Sequence, residues 1–147
     1  MPEYTFFENL GTAEDIFKHL LICDESFKPP LSETIELGEY AQKLFEHATR
    51  LEFWIDNDLA ALSAFYLKKE LKSAFITNFS VIPLYTGTGI AQKLMNCTLE
   101  YLSNADIATI ELEVKKINKR ATGFYIKNNF EKKTEGDQSL LLRKTLL

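Results

Sequence analysis

Residues able to hold a metal or a disulfide are scarce in this chain. Its 147 residues include two cysteines and two histidines. Cys23 and Cys97 each fall within an apolar helical pattern and lack C-x-x-C spacing, so both read as buried free thiols of a reducing compartment. No His/Cys/Asp cluster has metal-ligand spacing, and no metal is expected. His19 and His47 lie in amphipathic helical patterns, which gives each a structural role at the surface or half-buried. Net positive charge is also missing. Seventeen Lys and Arg stand against 21 Asp and Glu, for a net charge of −4. That balance argues against nucleic acid or an anionic membrane as the main partner. No apolar run reaches the roughly 18 residues that a membrane span needs. Pro2 and Glu3 stand where a secretory signal would be basic, so no leader is expected and the chain reads as cytoplasmic. Repeats, low-complexity stretches and linkers are absent, which leaves one domain over residues 1–147.

Aromatic residues are plentiful by contrast, with 11 Phe and six Tyr, and they suggest an aromatic-lined core or cleft. Residues 3–8 read as a first strand. Thr12 is an N-cap with Glu14 and Asp15 in the first helical turn. Ile16, Phe17, Leu20 and Leu21 form the apolar stripe of a helix running to about Phe27, where Pro29-Pro30 break it. Leu37, Tyr40, Ala41, Leu44, Phe45 and Ala48 have the spacing of a second amphipathic helix. An antiparallel meander of strands over 51–55, 59–67 and 73–82 follows, with turn chemistry at Asp56-Asn57-Asp58 and Lys68-Lys69-Glu70. A helix over 89–103, a strand over 107–114, a helix over 119–128 capped by Asn118, and a hairpin over 130–134 and 139–143 complete the chain. The fold class is α/β (α+β), a mixed and mostly antiparallel sheet flanked by helices, in the order β-α-α-β-β-β-α-β-α-β-β.

The most pointed local signal is Val81-Ile82-Pro83-Leu84-Tyr85-Thr86-Gly87-Thr88-Gly89-Ile90-Ala91. A strand ends, a glycine-rich turn follows, and a helix starts at once. Unpaired N–H groups and the helix dipole make such a helix start an anion site. Gly87 and Gly89 give the turn its conformational freedom. A nucleotide-hydrolysing P-loop would need Gly-Lys-Ser/Thr, but Ile90-Ala91 follow Gly89. The dinucleotide fingerprint would need a third glycine where Gln92 stands. Lys115, Lys116, Lys119 and Arg120, with Lys127, Lys132 and Lys133 after them, are either solvated surface lysines or a field that steers a polyanion.

A second constellation lies downstream: Leu112-Glu113-Val114, Asn118, Ala121, Phe124-Tyr125 and Asn129-Phe130. Together with the glycine turn, these residues resemble the GNAT N-acetyltransferase superfamily. Its turn has the form Arg/Gln-x-x-Gly-x-Gly/Ala, and the element order agrees from end to end. Two positions depart from the pattern. Thr86 replaces the leading Arg or Gln, and Asn129 replaces the glycine before the terminal Phe.

The resemblance implies acetyl-CoA as cosubstrate and a small-molecule or peptide amine as acceptor, in a ternary complex. Monomer and homodimer both stay open. It implies that Thr86, Gly87, Thr88, Gly89, Ile90 and Ala91 hold the pyrophosphate, with Asn118 nearby. The pantetheine arm would pair with the third meander strand at Phe79 and Val81, in a slot opened by a β-bulge at Asn78-Phe79-Ser80. The Val81 N–H would polarise the thioester carbonyl, and Tyr125 would act as general acid. For the base the reading is a water relay through Asn78, Ser80 or Glu113. Phe27, Pro29, Pro30 and Tyr40 would wall the acceptor site together with Asn78. Asp24, Glu25, Glu33 and Glu36 would suit an amine. A non-catalytic acyl-CoA sensor of the same fold is the alternative. A toxin-type acetyltransferase acting on aminoacyl-tRNA is disfavoured by the acidic balance.

Overall fold

The computed structural model describes residues 3–146. Seven strands form one sheet in the order β1-β2-β3-β4-β5-β7-β6. Their ranges are β1 Thr5–Glu8, β2 Thr49–Ile55, β3 Asp58–Lys68, β4 Ser73–Val81, β5 Thr109–Lys115, β6 Glu131–Glu135 and β7 Ser139–Thr145. Helices α1 (Ala13–Cys23), α2 (Leu37–His47), α3 (Ile90–Asn104) and α4 (Lys119–Lys127) cover its two faces. Every neighbouring pair is antiparallel except β4 and β5, which run parallel across the α3 crossover. The expected element order and strand content hold. The first helix stops at Cys23 and passes into a 3-10 turn over Asp24–Ser26, short of Phe27.

Local chemistry sets the helix starts. Thr12 accepts from the Asp15 N–H, and the Asp15 carboxylate takes the Thr12 N–H at 2.8 Å, a closed capping box. Glu36 caps α2 by accepting from the N–H groups of Gly38 and Glu39. Asn118 caps α4 through the N–H of Ala121. Asp24 binds the N–H and hydroxyl of Ser32, which folds the 24–36 segment back on itself. The carboxylates of Asp24 and Glu36 are therefore engaged within the protein. Glu25 and Glu33 stay exposed.

Two apolar layers sandwich the sheet. On one face Ile16, Leu20, Leu37, Ala41 and Leu44 of α1 and α2 pack on Leu59, Leu62 and Ala64 of β3. On the other, Ile90, Leu94, Met95 and Leu102 of α3 pack on Ala61, Phe65, Ile76, Ile110 and Leu112. A buried ion pair pins the β1–α1 loop: Arg50 Nε lies 3.2 Å from Glu52, and Glu52 also accepts from Gly11 N–H and Trp54 Nε1–H.

The feature that shapes the site is an irregularity in β4. Opposite β3, Asn78 pairs with Ala64 but Ile76 pairs with Phe65, so Thr77 is the extra residue of a β-bulge. The bulge lies one position ahead of the expected Asn78-Phe79-Ser80. Tyr40 holds it, its hydroxyl 2.9 Å from the Thr77 carbonyl and 2.8 Å from Thr77 Oγ1. β4 and β5 pair only from Ser73–Ile76 against Thr109–Leu112. Past the bulge they separate, and β4 runs on to Val81 with one edge unpaired.

Candidate active site

The separation of β4 and β5 leaves two cavities. The larger, about 490 Å³, is lined by Phe79, Ser80 and Val81 of β4, by the turn from Tyr85 to Gln92, and by Arg120, Phe124, Tyr125 and Lys127 of α4. The smaller, about 200 Å³, lies among Phe27, Lys28, Pro29, Leu31 and Thr34 of the folded-back segment, Thr77 to Phe79, and Glu113 and Lys115 of β5. Phe27, Phe79, Asn118, Ala121 and Tyr125 belong to both linings, so the cavities adjoin at these residues.

Backbone geometry equips the larger cavity at both ends. Along β4, Ile82 donates to the Ala60 carbonyl at 2.9 Å. In an antiparallel ladder alternate residues share that direction, so Ser80 and Asn78 also bond to β3. The N–H and C=O of Phe79 and Val81 then face the open side, where an extended ligand could pair with them. At the far end Gly87 and Gly89 adopt φ of 84° and 86°. Gly89 is the N-cap of α3 and no side chain caps the helix. The N–H groups of the first turn are left to an anion. Among the described residues no atom lies within 4 Å of where a Cβ would stand at Gly87 or Gly89, so the turn leaves a ligand direct access to the backbone.

The expected site residues divide accordingly. Thr86, Gly87, Gly89, Ile90 and Ala91 line the larger cavity. Thr88 does not; its hydroxyl closes the turn on the Tyr85 carbonyl at 2.6 Å. Glu113 and Asn78 line the smaller cavity, and Asn118 and Phe27 line both. Tyr40 lines neither and instead supports the bulge from behind. Glu111 turns to Lys133 and Arg143, at 2.6 and 3.1 Å. The basic cluster splits. Arg120 and Lys127 line the larger cavity, whereas Lys116 and Lys132 are paired with Glu135. Cys23 is buried and Cys97 only half-buried. Among the described residues no three His, Cys, Asp or Glu side chains gather as a metal site.

Tyr125 sits within an aromatic cluster, edge-on to Phe79, Phe124 and Phe130. Burial raises its phenol well above the ordinary value. Full proton transfer to a thiolate is uphill for such a phenol. Donating a hydrogen bond to a sulfur that gains negative charge is not.

Sequence reasoning named Asn78 and Ser80 but missed the side chain behind them. His19 is a fully buried side chain rather than a surface or half-buried one, and its Nε2 lies 2.7 Å from Ser80 Oγ. It also missed Gln92, whose amide pairs with that of Asn128 at 2.7 and 3.2 Å and ties the start of α3 to the end of α4. Both contacts join residues far apart in the chain, and no local pattern announces them.

A family model for the acetyltransferase (GNAT) family matches residues 14–130. Solved structures agree in fold. An acetyltransferase of the GNAT family from Staphylococcus aureus superposes with a TM-score of 0.79 at 14% identity, covering 99% of this chain and 100% of that one. The PaiA N-acetyltransferase of Thermoplasma acidophilum, in complex with coenzyme A, gives 0.74 at 15% identity over 96% and 99% of the two chains. The ribosomal-protein-S18-alanine N-acetyltransferase of Escherichia coli gives 0.74 at 18% identity over 98% and 94%. No curated protein matches the sequence significantly.

Proposed function

The chain belongs to the acetyltransferase (GNAT) family, and from that premise we propose that it moves acetyl from acetyl-CoA to a primary amine by direct attack in a ternary complex. The observation that carries the reading is the position of Tyr125 in the linings of both cavities. The larger one suits an elongated, anionic donor and the smaller one an acceptor. Their shared residues are where the two would meet.

The first-turn N–H groups of α3, with Gly87 and Gly89, would hold the pyrophosphate, and Arg120 and Lys127 would add positive charge beside it. The free edge of β4 at Phe79 and Val81 would pair with the amide groups of the pantetheine arm, as an added strand does. Val81 N–H would face the carbonyl oxygen as negative charge develops there. Tyr125 O–H would hydrogen-bond the departing sulfur. Glu113 and Asn78 line the acceptor side, where a carboxylate and an amide oxygen would attract and orient an ammonium group.

The test is release of free CoA across a panel of primary amines, comparing wild type with Tyr125→Phe. Loss of about 10²- to 10³-fold in kcat, with acetyl-CoA affinity unchanged, is expected for a lost proton-bearing group. Unchanged turnover would remove Tyr125 from the chemistry. Wild-type protein that binds acetyl-CoA yet acetylates no amine would instead be a sensor of acyl-CoA.

A further inference from the structure

The three short contacts of the polar set behind β4 hold one proton fewer than they can take. His19 is 1% exposed and comes from α1. Its Nδ1 lies 2.8 Å from the Leu59 carbonyl oxygen. A carbonyl only accepts, so Nδ1 carries hydrogen. Nε2 lies 2.7 Å from Ser80 Oγ, which lies 2.7 Å from Asn78 Oδ1. Burial lowers the imidazole to about 4, against the Leu59 hydrogen bond that raises it. The ring is thus neutral near pH 7 and Nε2 is bare. Ser80 owns a single hydroxyl proton and faces two acceptors at the same short distance. With one further proton on the ring, every contact is satisfied with no heavy atom moved. Nδ1–H then donates to Leu59, Nε2–H to Ser80, and Ser80 O–H to Asn78.

The groups packed around the ring are neutral and supply it no proton of their own. On α1 the other titratable neighbour is Cys23, whose Sγ is 3.6 Å from Nε2 and whose thiol burial pushes up to about 12. From α2, Tyr40 reaches Asn78 and Thr77, and burial pushes its phenol up to about 12. Both are neutral. Among the described residues no carboxylate or cation perturbs the ring from α1, α2, β3 or β4. Ser80 lines the larger cavity and Asn78 the smaller, while His19 lies behind them in the apolar layer under α1.

We propose that Ser80 and His19 form a two-step relay that receives the proton of the attacking amine, with Ser80 at the site and His19 as the positioning residue behind it. The proposal rests on the reading of the chain as an N-acetyltransferase. The amine nitrogen forms a bond to the thioester carbonyl carbon as the C=O pair moves onto oxygen. The resulting ammonium gives a proton to Ser80 Oγ while Ser80 passes its own to His19 Nε2. Return of the oxygen pair breaks the C–S bond and leaves the electrons on sulfur. The proton held on His19 returns through Ser80 to the cavity as the sulfur takes one up. Amine and thioester become amide and thiol, with no net proton gained or lost by the protein. The relay is ready at rest because the buried ring does not hold a proton at neutral pH. Negative charge on oxygen and sulfur supports the imidazolium only while reaction is under way.

Two measurements decide it. The first is the ¹⁵N spectrum of His19 from pH 8 to 5 in protein without ligand. A neutral ring with hydrogen on Nδ1 and a bare Nε2 is expected throughout; an Nε2–H tautomer, or a ring charged at pH 7, overturns the proposal. The second is kcat and KM for the best amine of the panel from pH 6 to 9, for wild type, His19→Gln, Ser80→Ala and the double variant. Each single variant is expected to lose about 10²-fold in kcat near pH 7 and to recover toward high pH, with acetyl-CoA affinity and KM unchanged. The double variant should be no worse than either single one, as for groups that act as a unit. Active wild type with His19→Gln equally fast and of equal pH profile overturns the relay and leaves the acetyltransferase reading intact. Wild type inactive on every amine overturns both.

Discussion

Ile76 and Phe79 point to the same face of the sheet although three positions separate them on one strand. Both pack in the layer under α3 and α4. Regular alternation would place them on opposite faces. The extra residue, Thr77, shifts the parity between them. It thereby turns Asn78 and Ser80 toward α1, where Ser80 meets His19. It also ends the pairing of β4 with β5. Both cavities and the buried polar set depend on this single insertion.

Deleting Thr77 makes the β3–β4 register continuous, since the pairs on either side then follow one ladder. The strand keeps its face assignments but loses the bend, and β4 is free to go on pairing with β5. We expect a protein that still folds cooperatively, with far-ultraviolet circular dichroism unchanged. Its affinity for CoA should fall at least about tenfold because the edge that would take the pantetheine is closed. Calorimetric titration with CoA checks this, and unchanged affinity would separate the bulge from the cofactor slot.

Much of this arrangement was legible from local sequence. Thr12 and Asn118 are caps by residue type and spacing, and both cap as expected. Gly87 and Gly89 announced a turn with positive φ, and that is their conformation. The strand expected over 107–114 is β5, and Ile110, Leu112 and Val114, alternating along it, are all buried. What stayed hidden is non-local. The bulge lies one residue ahead of the expected place; no glycine marks it, and the contact that holds it comes from Tyr40 on α2. The His19–Ser80 contact joins positions 61 apart in the chain, and an amphipathic helical pattern does not say that its histidine is fully covered.

Gly89→Val tests the proposed phosphate cradle. A Cβ at this position meets no atom of the described residues within 4 Å, so it has room there. The cost comes from φ of 86°, which a β-branched residue adopts only with strain of about 1–2 kcal/mol. The new side chain would also stand over the N–H groups of the α3 start. Thermal unfolding should show a midpoint lower by several degrees, and CoA affinity should fall at least about tenfold. A variant that loses stability but binds CoA as well as wild type would place the pyrophosphate elsewhere.

Thr86→Arg restores the cation that stands at the head of this turn in the resembling family. Thr86 is exposed and lines the larger cavity, so a long side chain can reach forward without repacking. An exposed pair with a phosphate is worth about 1 kcal/mol at most, which gives a gain of up to roughly fivefold in CoA affinity. The gain should shrink between 50 and 500 mM salt, at roughly the screening expected for exposed charges. Titrations at both salt concentrations measure it. No gain at low salt would mean that Thr86 does not face the anion.

His19 also makes stability depend on pH. Burial holds its imidazole at about 4 in the folded protein, against about 6.5 in an unfolded chain. Above pH 6.5 the ring is neutral in both states and the stability it confers is fully present. As the pH falls below 6.5 the unfolded chain takes up a proton that the folded one refuses. Stability therefore drops until the folded ring titrates near 4, by about 3 kcal/mol at most. His19→Gln has no such group. It begins less stable at pH 7.5, because its amide replaces the ring in the contacts to Leu59 and Ser80 imperfectly. It should then lose less on acidification, so that the two curves approach each other between pH 6.5 and 4. Urea unfolding at four pH values across that window measures the convergence. A constant gap between the curves would mean that His19 titrates alike in the folded and unfolded chains, and that its burial does not oppose protonation.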